Sequence, residues 1–526
     1  MSNSRGKSRT TNTAPKKRIT AVTITVIVIV LFFIAALFIN SKFMRRQVTA
    51  VEANGMKFSA SEYQFFYVSA ISEYTNYINN TFGDSGSAML PDASKPFDTQ
   101  TNPMTGQTWA DYYYETAISS IQLFSGAYQE AMAAGFTVSD EDYAKIDSEI
   151  DMLSEQVSMY YGMTFAEFIS SQFGASSGVT EDLYRELSKK QYLADRYSQS
   201  VNDARSYTEA QLEGHYAEHR DEYDIFKYRY FTVRSESLDR DTFDTDEEYE
   251  AADAAAIEAA RALAASYVTS ISNEQDFIEK AREYNETTYE KDTSTLNHTA
   301  GKDLTTTFAD WAKDPSRTLG DLCAEPTNTD ESSNRAFYVV FFVDRLNNKY
   351  PTVNIQLMLL SGQDISRDDY TDDEGVLNEF TYNAELDSSN SALEIKAKAL
   401  FAEWEENGGT LDYLTEYYAA NTSTTYGGLD EYSATISGSL YSNIYYSYTP
   451  DDAADAWMHD PARKEGDITV VEGTNNGTWF LMYFVGQDMD YCDYLADTAL
   501  RTEDMNIWTA GFSSTAVKTG WGMKLL

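Results

Sequence analysis

Apolar and polar positions along this chain run in blocks whose period changes several times. Residues 19–39 carry no charge, and as a helix rising about 1.5 Å per residue they would measure roughly 31 Å, the thickness of a bilayer's hydrocarbon core. The pattern predicts a membrane span over 19–40 behind a basic tail at 1–18. Short unbroken apolar and aromatic runs at 225–233, 336–343, 353–360 and 479–485 have the length and residue types of buried strands. Between the first and second run, and again between the third and fourth, apolar residues recur at helical spacing. These predict helices at 254–271 and 391–407, each followed by a second helix ending in aromatic residues, Phe277 to Tyr284 and Leu411 to Tyr418.

The two blocks share a motif. Trp311-Ala312-Lys313-Asp314-Pro315-Ser316-Arg317-Thr318-Leu319-Gly320-Asp321 and Trp457-Met458-His459-Asp460-Pro461-Ala462-Arg463-Lys464-Glu465-Gly466-Asp467 agree at Trp, Asp, Pro, Arg, Gly and Asp, and each precedes a strand-like run. A duplicated α+β domain follows, ordered strand, helix, helix, turn, helix, strand. Upstream, 47–221 reads as helices with marked starts. Ser59 with Glu62 has capping-box form and opens a stripe of Tyr63, Phe66, Tyr67, Ala70, Tyr74 and Tyr77. Further starts fall at Ser139, Thr180 and Thr208, with a Gly-, Pro- and Ser-rich loop at 83–106. A last helix is expected at 491–512.

Composition narrows the partners. A formal charge of -43 over 526 residues argues against nucleic acid and predicts repulsion from anionic lipid. Two cysteines, Cys323 and Cys492, exclude a disulfide framework and leave one bridge conceivable. Arg5, Lys7, Arg9, Lys16, Lys17 and Arg18 before the span outnumber Lys42, Arg45 and Arg46 after it, so the tail is expected in the cytoplasm and the body outside the cell membrane, on a single-pass anchor. His215 and His219 lack the spacing of a zinc-protease motif. The acidic loops at 239–248 and 368–374 lack the EF-hand pattern, so no metal and no cofactor is expected.

Several short segments, taken in order, carry a resemblance: Val51-Glu52-Ala53-Asn54-Gly55-Met56-Lys57-Phe58-Ser59, Ala131-Met132-Ala133-Ala134-Gly135-Phe136-Thr137-Val138-Ser139-Asp140-Glu141-Asp142, Tyr207 to Tyr216, Tyr426-Gly427-Gly428-Leu429 and Gly466-Asp467-Ile468-Thr469. The succession resembles the SurA/PrsA-type extracytoplasmic foldases, in which a helical chaperone domain carries parvulin-type peptidylprolyl isomerase domains. The resemblance implies a helical chaperone domain at 47–221, parvulin-like domains at 222–349 and 350–490, and a helix at 491–526 returning to the helical domain. It implies a chaperone of unfolded or newly translocated polypeptides. It also places the family's histidine positions on Tyr230 and Tyr338 in the first repeat and Gln356 and Trp479 in the second, with the Cys or Asp position on Asn421 in the second. With all the histidines replaced, weak or absent isomerase activity is expected; a working isomerase and an envelope scaffold are the alternatives. Tyr63, Phe66, Tyr67, Gln356 and Trp479 are the expected peptide contacts.

Overall fold

The computed structural model describes residues 41–288, 295–330, 334–372, 375–428, 431–446, 451–474 and 477–526. The basic tail, the expected span at 19–40, Leu429 and the Asp373-Glu374 pair lie outside them. Among the described residues no helix is long and apolar enough to cross a membrane. The fold is α+β, with antiparallel sheets, and the chain divides into two units: one formed by the residues up to Ser206 together with Arg501–Leu526, the other by Tyr207–Leu500.

The first unit is mainly helical. Helix α1 (Lys42–Gln47) leads into the hairpin of β1 (Thr49–Ala53) and β2 (Met56–Ser59), turned by Asn54 and Gly55 at positive φ. Helix α2 (Ala60–Phe82) starts on the predicted capping box, Ser59 accepting from the Glu62 amide while the Glu62 carboxylate takes the Ser59 amide. Helix α3 (Trp109–Ala134) ends on left-handed Gly135. Helix α4 (Asp140–Tyr161) begins with a capping box at Ser139 and ends on left-handed Gly162, and α5 (Phe165–Phe173) and α6 (Glu181–Asp203) complete the set. Their buried faces meet in one core around Phe58, Phe65, Phe66, Ile121, Phe165 and Leu187.

The second unit opens with α7 (Glu209–Glu218) and α8 (Arg220–Tyr223), then β3 (Ile225–Arg234), α9 (Asp246–Ser270), α10 (Glu274–Thr288), β4 (Asn297–Ala300), α11 (Ala309–Lys313), β5 (Leu322–Pro326) and β6 (Ala336–Leu346). The second repeat runs β7 (Pro351–Ser361), α12 (Glu379–Glu406), α13 (Leu411–Ala420), β8 (Ser423–Tyr426), β9 (Tyr432–Ile444), α14 (Asp452–Met458), β10 (Ile468–Glu472) and β11 (Thr478–Asp490). The sheets read β4-β3-β6-β5 and β8-β9-β7-β11-β10. In both, the first and last strands of the repeat pair at the centre, the penultimate strand holds one edge, and the strand after the helices lies on the other side; the second repeat adds β8. The helices begin earlier than expected, at Asp246 and Glu379, because acidic and polar first turns continue the helix without adding to the apolar stripe.

The repeated motif folds the same way twice. Arg317 sits over the Trp311 ring at 5.1 Å and Arg463 over Trp457 at 4.6 Å. Each arginine also reaches both aspartates of its motif, Arg317 at 3.4 and 3.6 Å and Arg463 at 3.2 and 3.5 Å. The shared Gly-Asp step then brackets the last strand: Gly320 donates to the Phe342 carbonyl and Phe342 to that of Asp321, as Gly466 and Phe484 do with Phe484 and Asp467. Such a repeated hydrogen-bond pattern makes Phe342 and Phe484 equivalent positions.

Residues 207–221, expected in the helical domain, pack within the second unit instead, around a buried carboxylate. Asp224 is fully buried; it accepts from Arg345 at 2.6 Å, Arg220 at 3.0 Å and the Tyr216 hydroxyl at 2.7 Å. Asn348, in the linker between repeats, donates to the Tyr223 carbonyl and accepts through its own carbonyl from the Cys492 amide. The stem helices, one end of the first sheet's central pair, where the start of β3 meets the end of β6, and the linker thus share one polar hub.

Helix α15 (Tyr491–Ser513) follows β11, and its part from Arg501 onward belongs to the first unit. There Phe512 packs directly on Gly126 of α3, Trp508 donates to Glu130, and Arg205 pairs with Asp504 at 2.8 Å. The chain then adds β12 (Lys518–Thr519) beside β1.

Candidate functional site

The residues expected to occupy the isomerase positions do not form equivalent sites. In the first sheet Tyr230 lies opposite Val340 and Tyr338 opposite Thr232, and their rings meet edge to face at 5.4 Å. Phe308 touches both rings, with centroids at 6.4 and 5.3 Å. The cluster shares its side of the sheet with Phe226, Tyr228, Cys323 and Val340, while Phe231, Val233, Phe337 and Phe341 face α9 and α10 on the other side. Tyr230 and Tyr338 are half-buried.

In the second sheet Trp479 pairs with Leu360 and Gln356 with Tyr483. Four strand positions separate the pair, roughly 13 Å, and both side chains are buried. Trp479 is buried with Met358, Leu360 and Leu481 against α12 and α13. Gln356 is 2 % exposed, and its amide nitrogen has no hydrogen-bond partner among the described residues. Aligning Phe342 with Phe484 gives the physical reason. The structural counterpart of Tyr338 is Phe480, and that of Phe337 is Trp479; likewise Tyr230 matches Leu357 and Arg229 matches Gln356. The expected positions in the second repeat are one residue out of register, and one residue turns a strand side chain to the opposite face. Asn421 ends α13 and donates to the Tyr417 carbonyl at 2.7 Å, serving the helix end.

The expected peptide contacts in the helical unit divide by depth. Tyr63 and Phe66 are 3 % and 2 % exposed and belong to the core, which corrects their assignment as contacts; Tyr67 is half-buried and stacks on Tyr63 at 6.0 Å. Burial pushes the hydroxyls of Tyr63 and Tyr67 above their usual range. The same stripe continues to the surface one turn further along. Tyr74 and Tyr77 with Ala70 and Glu73 on α2, Tyr112 and Thr116 on α3, and Asn102, Met104 and Thr105 from the intervening loop line an open cleft of about 390 Å³. Tyr77 and Met104 are 57 % and 63 % exposed. The loop is held over the helices by the Tyr74 hydroxyl, which donates to the Met89 carbonyl at 3.3 Å and lies 3.5 Å from the Met104 sulfur. At the far tip of α4, Met159, Tyr160 and Tyr161 are exposed together. Sequence periodicity found the stripe but not which end of it reaches solvent.

The other candidates are structural. His215 and His219 stack on each other at 4.5 Å, with His215 Nε2 3.1 Å from the Tyr223 hydroxyl. Asp239 caps a short turn through the Asp241 amide. Cys323 and Cys492 are free. Among the described residues, Asp490, Cys492 and Asp493 are the one group placed to share a cation; burial and the two carboxylates push the Cys492 thiol up to about 11, which keeps it protonated and a poor ligand at neutral pH. No protein-family model and no curated protein matches this chain.

Proposed function

We propose that this protein is a membrane-tethered extracytoplasmic chaperone that holds unfolded or newly translocated polypeptides, with parvulin-like modules serving as non-catalytic arms. The observation that carries the reading is the open aromatic cleft of the helical unit. Tyr74, Tyr77, Met104 and Tyr112 offer apolar surface to solvent with a single charge, Glu73, at the margin. Aromatic rings give large contact area for little lost rotamer freedom, and a methionine adapts its shape, a combination suited to weak binding of varied sequences. The cleft's volume suits one or two side chains of an extended peptide, so retention of a whole client needs several such contacts; the exposed Met159, Tyr160 and Tyr161 add one. The apolar run at 19–39 supplies the tether. Isomerase chemistry draws no support from Gln356 and Trp479, which are buried and too far apart to act on one amide bond.

Aggregation of an unrelated unfolded protein, followed by light scattering with the full chain at equimolar amounts, tests the proposal. Suppression is expected, weakened severalfold by Tyr77→Glu combined with Met104→Glu. A chain that gives no protection is instead a scaffold with a fixed partner.

A further inference from the structure

Charge is not spread evenly over this protein. Lys and Arg number 40 against 83 Asp and Glu in the whole chain, yet residues 41–60 and 505–526 together hold Lys42, Arg45, Arg46, Lys57, Lys518 and Lys524 against Glu52 alone. The fold of the first unit joins these two segments. Thr519 and Lys518 pair with Val51 and Glu52 of β1, and Lys57 pairs with Glu52 from the other side, so Lys57, Glu52 and Lys518 form one row across the sheet. Val51 and Phe58, on the opposite face, are buried in the core, which leaves the lysine row facing solvent. The turn Trp521–Leu525 then crosses the start of β1: Gly522 lies so close to Val48 and Ala50 that a Cβ there would come within 2.6 Å of the Val48 carbonyl oxygen. Helix α1 has its C-cap at Val48, the residue that Gly522 approaches, and so leads directly into the same corner. Two exposed aromatic residues accompany the lysines, Phe43 at 59 % and Trp521 at 46 %.

Lys42, Lys57 and Lys524 have no ion-pair partner among the described residues, and Lys518 pairs with Glu52 at 2.7 Å while its side chain stays 74 % exposed. Arg46 is excluded from the patch, because it faces Glu62, Asp182 and Glu186 across a small cavity. Exposed lysines beside exposed Trp and Phe match an anionic lipid surface, where ammonium groups meet headgroup phosphates and aromatic rings settle at the interface. The large negative charge elsewhere does not cancel this. At physiological salt the screening length is about 8 Å, so carboxylates on distant elements are damped while the lysines at the contact act in full.

We propose that this corner, built from Lys42, Lys57, Lys518 and Lys524 with Phe43 and Trp521, docks on the anionic leaflet next to the anchor and so orients the body on the bilayer. The inference rests on the tether proposed above only for bringing the patch to the membrane. The chain emerging from the apolar run reaches the patch within a few residues, since Ser41 already caps α1.

The test mixes the full chain with phosphatidylcholine vesicles, or with vesicles of seven parts phosphatidylcholine to three of phosphatidylglycerol, each carrying a headgroup-region spin-labelled lipid that quenches nearby tryptophan. Quenching lost in Trp521→Phe is expected with phosphatidylglycerol only, and 0.5 M salt should abolish it. Each Lys→Gln change in the patch lowers the docked-to-undocked ratio about fivefold, the factor equivalent to about 1 kcal/mol per basic residue. Equal Trp521-dependent quenching in both lipids, or none in either, overturns the inference. Flotation that resists alkaline washing, measured in both lipids, reports the tether separately: a chain that floats without Trp521 quenching keeps its anchor and loses the docking surface.

Discussion

The Asp224 hub sets the largest single side-chain effect expected in the second unit. Replacing Asp224 by alanine removes a fully buried carboxylate that takes hydrogen bonds from Arg345, Arg220 and Tyr216. Arg345, whose side chain is 14 % exposed, would keep Asp221 at 2.7 Å and the Lys313 carbonyl at 3.0 Å, both toward its other nitrogens, and lose the partner of its Nε. Breaking a buried pair by deleting one side costs about 3–5 kcal/mol, because the other charge stays desolvated. Arg345 retains Asp221 and the Lys313 carbonyl, and Arg220 is half in water, so the lower end, about 3 kcal/mol, is expected. Arg345→Ala should cost a similar amount, and the double variant less than the sum by at least ~2 kcal/mol. The assay is urea denaturation of the full chain followed by fluorescence, with the four variants of the cycle compared at their midpoints. Costs that add within about 0.5 kcal/mol, or an Asp224→Ala cost below about 1 kcal/mol, would refute the account of the hub.

Two further outcomes follow from packing and titration. Gly126→Ala places a Cβ 2.1 Å from Phe512 Cγ, so despite the better helix propensity of alanine the melting temperature of the first unit should fall, and Phe512→Ala in the same chain should recover part of the loss. His459 is 9 % exposed, held between Tyr350 and Tyr446 with Asp455 3.7 Å from Nε2, and burial depresses its pKa below 6.5. The unfolded chain therefore takes up a proton as pH falls through 6.5 while the folded one resists. Stability is full above that pH and declines below it, by up to ~1.4 kcal/mol per pH unit until the folded pKa is reached. Denaturation at pH 7, 6 and 5 should show His459→Phe losing less stability than the unaltered chain as the pH falls, and parallel pH profiles would contradict the assignment.

What the sequence determined by itself is what neighbours within a few residues control. Ser59 and Ser139 begin helices because their side chains cap amides three positions on, Thr208 because the Gln211 side chain three positions on accepts from its amide and hydroxyl, and the four apolar runs became central strands because their length and residue types suit a buried strand. The repeated Trp-Asp-Pro-Arg-Gly-Asp motif was legible for the same reason: its contacts, the arginine over the tryptophan and between two aspartates, close within eleven residues. Tertiary structure alone decided the rest. A strand's pattern does not state its register against a partner, so Trp479 was matched to Tyr338 when pairing matches it to Phe337, and that single step moved it from one face of the sheet to the other. An aromatic stripe on a helix does not state where the core ends; the packing of α2 against α3 buried Tyr63 and Phe66 and left Tyr77 in water. A net charge of -43 conceals a cationic corner because summation ignores position, and only pairing between β1 and β12, more than 450 residues apart in sequence, brings Lys57 and Lys518 together.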